Sequence, residues 1–399
     1  MDPFIDMINL IFLFVGLYFT ILFIFLFSEN RKKMFRRPDM KKFPSVTVLI
    51  PAYNEEKTIG KTIEKVKKMI YPKKKEIIVV DDGSKDRTVR IVEKIRGVKL
   101  IKKRQGGKAS ALNVGLKKAK GEIVVCIDSD SYPDRNALMR SIPFFQDSVA
   151  AVTTTVLVKN KKSIIEKLQE LEYIFIAWSR KIFEYLNSIY VTPGPMSLYR
   201  KDVLLKIGGF DSKNMTEDIE IAWRLMSRKY QIKMALDSKV TTNVPRTLGE
   251  WWHQRIRWNI GGFQTFFKYF HLFLDRGIQN IGLFLLPLFS LSYFVCALGL
   301  LFVFYVSFNA FRYLVGVYTF GFSLIGPIYF IPSMFWFFGL LSIVFTFLFI
   351  RINFRTMDQV IDVPKKILRF FVYLFIYTLI VPFNLLHSVI KFLNKSYKW

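Results

Sequence analysis

Asp128 and Asp130 stand one residue apart in Asp128-Ser129-Asp130, directly after the apolar run Ile123–Ile127. Two carboxylates at that spacing suit a hard divalent cation, Mg2+ or Mn2+, which commonly also holds substrate phosphates. Such an ion would neutralise a diphosphate leaving group. The same residue types also build ordinary turns. Asp81-Asp82-Gly83-Ser84 follows another apolar run, Ile77–Val80. Asp82 could accept a hydrogen bond from a uracil N–H, with Asp81 adding to the polar floor, or the acids could cap a helix. Pro51-Ala52-Tyr53-Asn54-Glu55 ends a third run; Tyr53 could stack on a base, and Asn54 could be a helix N-cap. Gly106-Gly107-Lys108-Ala109 invites comparison with a phosphate-binding loop. Lys102 stands where that loop needs glycine, and Ala109 where it needs Ser or Thr. Lys108 remains a candidate phosphate contact at a helix start.

Further along, Thr216-Glu217-Asp218 opens an expected helix. A carboxylate there could take a proton from an acceptor hydroxyl, work that contributes about 10²–10⁴-fold; acids at a helix N-terminus are also favourable dipole partners. The preceding loop, Thr192-Pro193-Gly194-Pro195, could let an extended acceptor approach the backbone. Gln254-Arg255-Ile256-Arg257-Trp258 is the most specific element. On a helix Gln254, Arg257 and Trp258 share one face. Arginine can grip a diphosphate in bidentate fashion, and tryptophan offers a flat surface to a sugar ring. Trp251 and Trp252 read instead as membrane-interface anchors.

These residues need a scaffold. Apolar strands alternate with helical stretches over about 40–245, which predicts an α/β domain on a mostly parallel sheet covered on both faces. The polar clusters fall at the C-terminal strand ends, where open α/β sheets bind ligands. Phe4–Phe27 is long enough to span a bilayer. Asp2 and Asp6 precede it, and Arg31, Lys32, Lys33, Arg36 and Arg37 follow, which points the domain to the cytoplasm. A segment of about 30 residues, 1–30, is thus the first span. Residues 246–275 mix aromatic and basic side chains, as suits a helix at the membrane surface. The C-terminal bundle, 281–391, reads as spans at 281–307, 313–350 and 368–390. Gly326, Pro327 and Pro332 are expected to break the middle stretch, as a re-entrant loop or as two short spans. Arg351, Arg355, Lys365, Lys366 and Arg369 mark an interfacial segment at 351–367.

The formal charge is +28, and hydrophobic residues make up 52% of the 399. In a membrane protein such basicity belongs first to the cytoplasmic face and anionic headgroups. No zinc-finger or RNA-recognition signature accompanies it, so nucleic acid is not an expected partner. Cys126 and Cys296 do not form a disulfide framework, and His253, His271 and His387 are scattered without zinc-ligand spacing.

The ordered set of motifs over about residues 45–265, with its flanking membrane segments, resembles the processive glycosyltransferase family 2 enzymes: hyaluronan, chitin, cellulose and poly-N-acetylglucosamine synthases. The resemblance implies a GT-A, Rossmann-like domain that uses a nucleotide diphosphate sugar, usually UDP-linked, with Mg2+ or Mn2+. It assigns Pro51, Tyr53, Glu55 and Asp82 to the nucleoside and Lys108 to the donor sugar or phosphate. Asp128 and Asp130 become the metal pair. Asp218 becomes the general base beside Glu217, Gln254, Arg257 and Trp258 become substrate-binding residues with Trp258 near the acceptor sugar, and Gly194 belongs to an acceptor-side segment. The implied reaction is an inverting displacement onto a growing polysaccharide, with the bundle conducting the product outward from a multi-pass plasma-membrane protein. Transfer of one sugar to a lipid-linked acceptor, and a non-enzymatic channel or scaffold, are the alternatives.

Overall fold

The computed structural model describes residues 3–40, 42–146, 148–278, 280–320, 334–361 and 367–396. In chain order the elements begin with α1 (Pro3–Asn30), β1 (Val46–Ala52), α2 (Ile59–Lys68), β2 (Glu76–Asp81), α3 (Thr88–Glu93), β3 (Lys99–Lys102) and α4 (Lys108–Lys118). They continue through β4 (Ile123–Cys126), β5 (Ser131–Pro133), α5 (Ala137–Ser141), β6 (Val149–Val158), α6 (Ile164–Tyr185), β7 (Ser197–Arg200) and α7 (Lys201–Lys206). The last are α8 (Glu217–Ser227), β8 (Gln231–Thr242), α9 (Leu248–Tyr269), α10 (Leu286–Phe320), α11 (Met334–Asp358) and α12 (Ile367–Leu393).

The strands form one sheet in the order β3-β2-β1-β4-β7-β6-β8-β5. β3, β2, β1 and β4 are mutually parallel, β7 runs antiparallel between β4 and β6, and β6 pairs parallel with β8. The sheet is therefore mixed, with its parallel half carrying the first three motifs. Strand residues point alternately to opposite faces. Leu49, Ile78, Val80 and Val124 join one buried cluster with α4, α6 and α8. Val48, Ile50, Val79 and Val125 join another, with α2 and α5. Burial on both faces is why these runs are continuously apolar rather than alternating.

Two of the long helices open with reciprocal caps. Ser163 and Glu166 start α6, and Thr247 and Glu250 start α9, each satisfying backbone N–H groups left without intrahelical partners. α1 docks on α6 and α11 through aromatic contacts: Phe23 and Phe27 lie against Trp178, and Phe23 against Phe349.

Four helical segments, Met7–Lys33, Asn280–Thr319, Phe337–Asp358 and Val372–Leu393, are long and apolar enough to cross a membrane. The break expected near 308–312 does not occur, because α10 is helical through to Phe320. The helix absorbs a polar group there: the Asn309 side chain donates to the Tyr305 carbonyl one turn back. Gly326, Pro327, Pro332, Lys365 and Lys366 lie outside the described residues.

Candidate active site

A cavity of about 1050 Å³ opens at the C-terminal ends of β1, β2 and β4 and extends to α6, α8 and α9. Its lining includes Pro51, Tyr53, Glu55, Asp82, Lys108, Asp128, Asp130, Gly194, Glu217, Asp218, Gln254, Arg257 and Trp258. These candidates thus face one space, drawn from segments about 200 residues apart in the chain.

The acidic centre is organised around a lysine. Lys108 begins α4, and its ammonium lies 2.6 Å from Asp128 Oδ1 and 2.9 Å from Glu217 Oε1. Burial alone would lower its pKa; Asp128, Glu217 and Asp218 outweigh that and hold it well above its ordinary value. Lys108 is therefore a fixed cation joining the β4 and α8 motifs, not a solvated side chain. Gly194 permits this junction. A Cβ there would fall on Lys108 Nζ and 2.6 Å from Asp128 Oδ2. The loop read as an approach for an extended acceptor is also the wall against which the Lys108–Asp128 pair rests.

Asp130 is held between Ser131 and Thr242, whose hydroxyls donate to it at 3.3 Å each. Burial, then the neighbouring charges of Asp128 and Glu55, push its carboxyl up to about 6. Crowded carboxylates in a partly dry site are what a divalent cation relieves, and this donor set fits Mg2+ or Mn2+ completed by substrate phosphate and water. Among the described residues, no group of three or more His, Cys, Asp or Glu side chains forms an all-protein metal cage.

Asp218 sits in the first turn of α8. Burial raises its carboxyl first and Glu217 next, while Lys108 pulls the other way; the result is about 6. Its backbone carbonyl accepts from both Thr192 N (3.1 Å) and Thr192 Oγ1 (2.9 Å), and Tyr199 in turn donates to Thr192 Oγ1. Gly261 brings α9 against this turn, since a Cβ there would collide with the Thr216 side chain. Thr192, Tyr199 and Gly261 position the α8 motif and carry no local sequence signal of doing so.

Some smaller expectations change. Asn54 is not a helix cap: α2 begins after Thr58, and Asn54 takes a left-handed conformation (φ 55°) while its side chain accepts from Lys85 N at 2.8 Å. Asp81 accepts from the backbone of Gly83 and Ser84 and so builds the turn. Asp82 accepts from Gly106 N, Gly107 N and the Lys103 ammonium. It thereby fastens the glycine segment as well as facing the cavity. Lys103 was invisible to motif reading.

Trp251, expected at the membrane interface, packs inside the protein, and Trp252 is also tied into it. Trp251 is buried, and its indole N–H donates to Tyr377 Oη at 3.2 Å; that of Trp252 donates to His387 Nδ1 at 3.0 Å. Asn259 bonds Asn384 and Ser388 on the same helix. A polar seam of side-chain hydrogen bonds therefore joins α9 to α12. The seam reaches the site through Glu172. This carboxylate accepts from Arg255 Nη2 (2.6 Å) and Tyr377 Oη (2.7 Å), and the Arg255 guanidinium lies 4.1 Å above the Trp258 ring. Glu172→Ala would leave Arg255 buried without its counter-charge. The expected loss is about 3–5 kcal/mol of stability, read as a lower unfolding midpoint in detergent. Tyr377→Phe should cost only about 1 kcal/mol.

Residues 47–208 match the family model described as glycosyl transferase family 2. The chain is 33% identical over 270 residues to the poly-beta-1,6-N-acetyl-D-glucosamine synthase of Staphylococcus aureus, a match covering 64% of this chain and 65% of the relative. It is 32% identical over 269 residues to the synthase of the same name from Staphylococcus epidermidis. The chain thus spans just under two thirds of the length of these curated relatives. Its fold is similar to that of a mannosyltransferase from Pyrobaculum calidifontis solved with GDP-Man and Mn2+, at a TM-score of 0.60 and 20% identity, covering 97% of this chain and 99% of the other. In a chain with four helices fit to cross a membrane, the segment from β1 to just beyond α7 thus matches the glycosyl transferase family 2 model, on a GT-A fold.

Proposed function

We propose that this protein is an inverting, membrane-bound glycosyltransferase that extends a β-1,6-linked N-acetylglucosamine polymer from UDP-N-acetylglucosamine, with its catalytic domain on the cytoplasmic side of the plasma membrane. The observation that carries this reading is the convergence of the Asp128–Asp130 pair, Asp218 and the Gln254–Arg257–Trp258 face on a single cavity. The donor and linkage are taken from the relatives at 33% and 32% identity. The orientation is taken from the basic cluster that follows α1.

In this reading Tyr53 and the Asp82 turn receive the nucleoside. Lys108 and Arg257 donate to the diphosphate, and Trp258 lies under the terminal acceptor sugar. Asp128 and Asp130 would hold Mg2+ or Mn2+, which supplies charge neutralisation at the diphosphate leaving group. Asp218 removes the proton from the acceptor hydroxyl. That oxygen bonds to the anomeric carbon as the bond from the anomeric carbon to the diphosphate oxygen breaks, so an α-linked donor gives a β-linked product.

The test is a donor screen with the purified full chain in nanodiscs, with Mg2+ or Mn2+, following nucleotide diphosphate release and product size. UDP release from UDP-N-acetylglucosamine with a ladder of lengthening products is expected. A single-sugar product on a lipid acceptor would replace the polymer reading with the non-processive one. Absence of release from every activated sugar would leave a channel or scaffold.

A further inference from the structure

Four residues of α6, Tyr173, Ile176, Ala177 and Arg180, face the cavity one or two turns apart. Arg180 is 5% exposed. Among the described residues its one hydrogen bond is a long contact of 3.4 Å from Nη1 to the Thr154 carbonyl, and its Nε–H has no partner there. Among the described residues no carboxylate lies within ion-pair reach of it. The other two arginines of the cavity are placed differently: Arg255 is paired to Glu172, and Arg257 is exposed. A buried guanidinium without its hydrogen bonds is costly, and the cost is recovered when a ligand supplies the acceptor atoms.

A second group in the same cavity is unsatisfied in the opposite sense. Gln254 Oε1 is buried and has no donor. A phosphate offers oxygens to Arg180 but no donor to Gln254 Oε1 at neutral pH. A sugar carries hydroxyls that both donate and accept, and an acetamido group adds a carbonyl and an N–H. Arg180 and Asp218, the carboxylate assigned above as the base, line the same cavity.

From this we infer that Arg180 is a binding residue for the terminal sugar of the acceptor glycan, donating through its free N–H groups to that sugar's oxygens and holding its hydroxyl toward Asp218. The inference rests on the transferase reading and adds a residue that no sequence motif marks. It makes Arg180 a determinant of acceptor affinity and leaves donor binding to Tyr53, Asp82 and Lys108.

The experiment uses the full chain in nanodiscs with UDP-N-acetylglucosamine as donor and a β-1,6-linked N-acetylglucosamine tetrasaccharide as acceptor. Loss of a charge-assisted hydrogen bond corresponds to roughly 10- to 100-fold in binding. Arg180→Gln should raise the acceptor KM by about that factor. The donor Kd and the rate of donor hydrolysis by water should change less than about twofold, within the spread of a remote substitution. Arg180→Lys, which keeps the charge but not the fork, should fall between. Titration with UDP-N-acetylglucosamine counts the folded sites, so KM per folded site is measured even if Arg180→Gln lowers the yield. An unchanged acceptor KM in a variant that still binds donor would overturn the proposal, as would a weakened donor Kd with KM unmoved. If the wild-type chain transfers nothing to the tetrasaccharide, the transferase reading itself falls, and this inference with it.

Discussion

Asp218→Asn should lower sugar transfer by about a thousandfold, the middle of the range for losing a positioned general base, while the donor still binds. The substitution keeps the side chain's size. It also leaves the bonds from Thr192 intact, because these use the Asp218 backbone carbonyl. The change is therefore confined to the proton acceptor. In the wild-type protein, burial and Glu217 raise the carboxyl to about 6. Such a group is ionised at neutral pH yet basic enough to share a proton in the transition state. Since the ionised form is the active one, kcat/KM should rise with pH through about 6 and level off above it. The asparagine variant should show a flat residual rate over that limb. Stability runs the other way. A carboxyl raised above its unfolded value stabilises the fold at low pH, and that contribution is lost as pH climbs from about 4 through about 6. The variant should therefore be no less stable than the wild type at pH 7. Donor affinity by titration, together with turnover from pH 5 to 8, checks all three statements; turnover unchanged in Asp218→Asn would remove this residue from the role of base.

Asp130→Asn is expected to abolish metal-dependent nucleotide release and at the same time to steady the metal-free protein. Asp130 is raised to about 6 by burial, Asp128 and Glu55, so at pH 7 its charged form costs the bare fold stability relative to the unfolded chain. Asparagine keeps the contacts to Ser131 and Thr242 and removes one of the crowded charges. A gain on the order of 1–2 kcal/mol is the expected scale. The melting midpoint without metal should rise by a few degrees. The further rise that Mn2+ with UDP-N-acetylglucosamine gives the wild type by mass action should disappear. Stability surrendered for function in this way is common at active sites. A variant that melts lower without metal, or that keeps its response to Mn2+, would show that Asp130 serves the fold rather than the cation.

Much of the α/β scaffold was legible because its physics is local. The strands β1, β2 and β4 are buried on both faces and must be apolar throughout, so they stand out as runs followed by polar clusters. The helix starts at Lys108 and Glu217, and the shared face of Gln254, Arg257 and Trp258, follow from turn and periodicity rules that act over a few residues. The contacts of Trp251 and Trp252 have the opposite origin. An aromatic-basic helix next to apolar segments satisfies the rule for a surface helix, and nothing near it in the chain reveals that Tyr377 and His387 will meet its indoles.

What the sequence determined alone was which chemistry the chain can host: carboxylates, a lysine, an arginine and a tryptophan at strand ends and helix starts, within a membrane-anchored α/β plan. The tertiary structure decided how those groups are charged and held. Lys108 is a bridge because Asp128 and Glu217, 89 residues apart in the chain, close on it where Gly194 leaves room. Arg180 is a buried guanidinium that, among the described residues, has no carboxylate within ion-pair reach. The reason is physical: the cost of a charge depends on what surrounds it in space, and those surroundings come from segments whose order along the chain carries no record of their meeting.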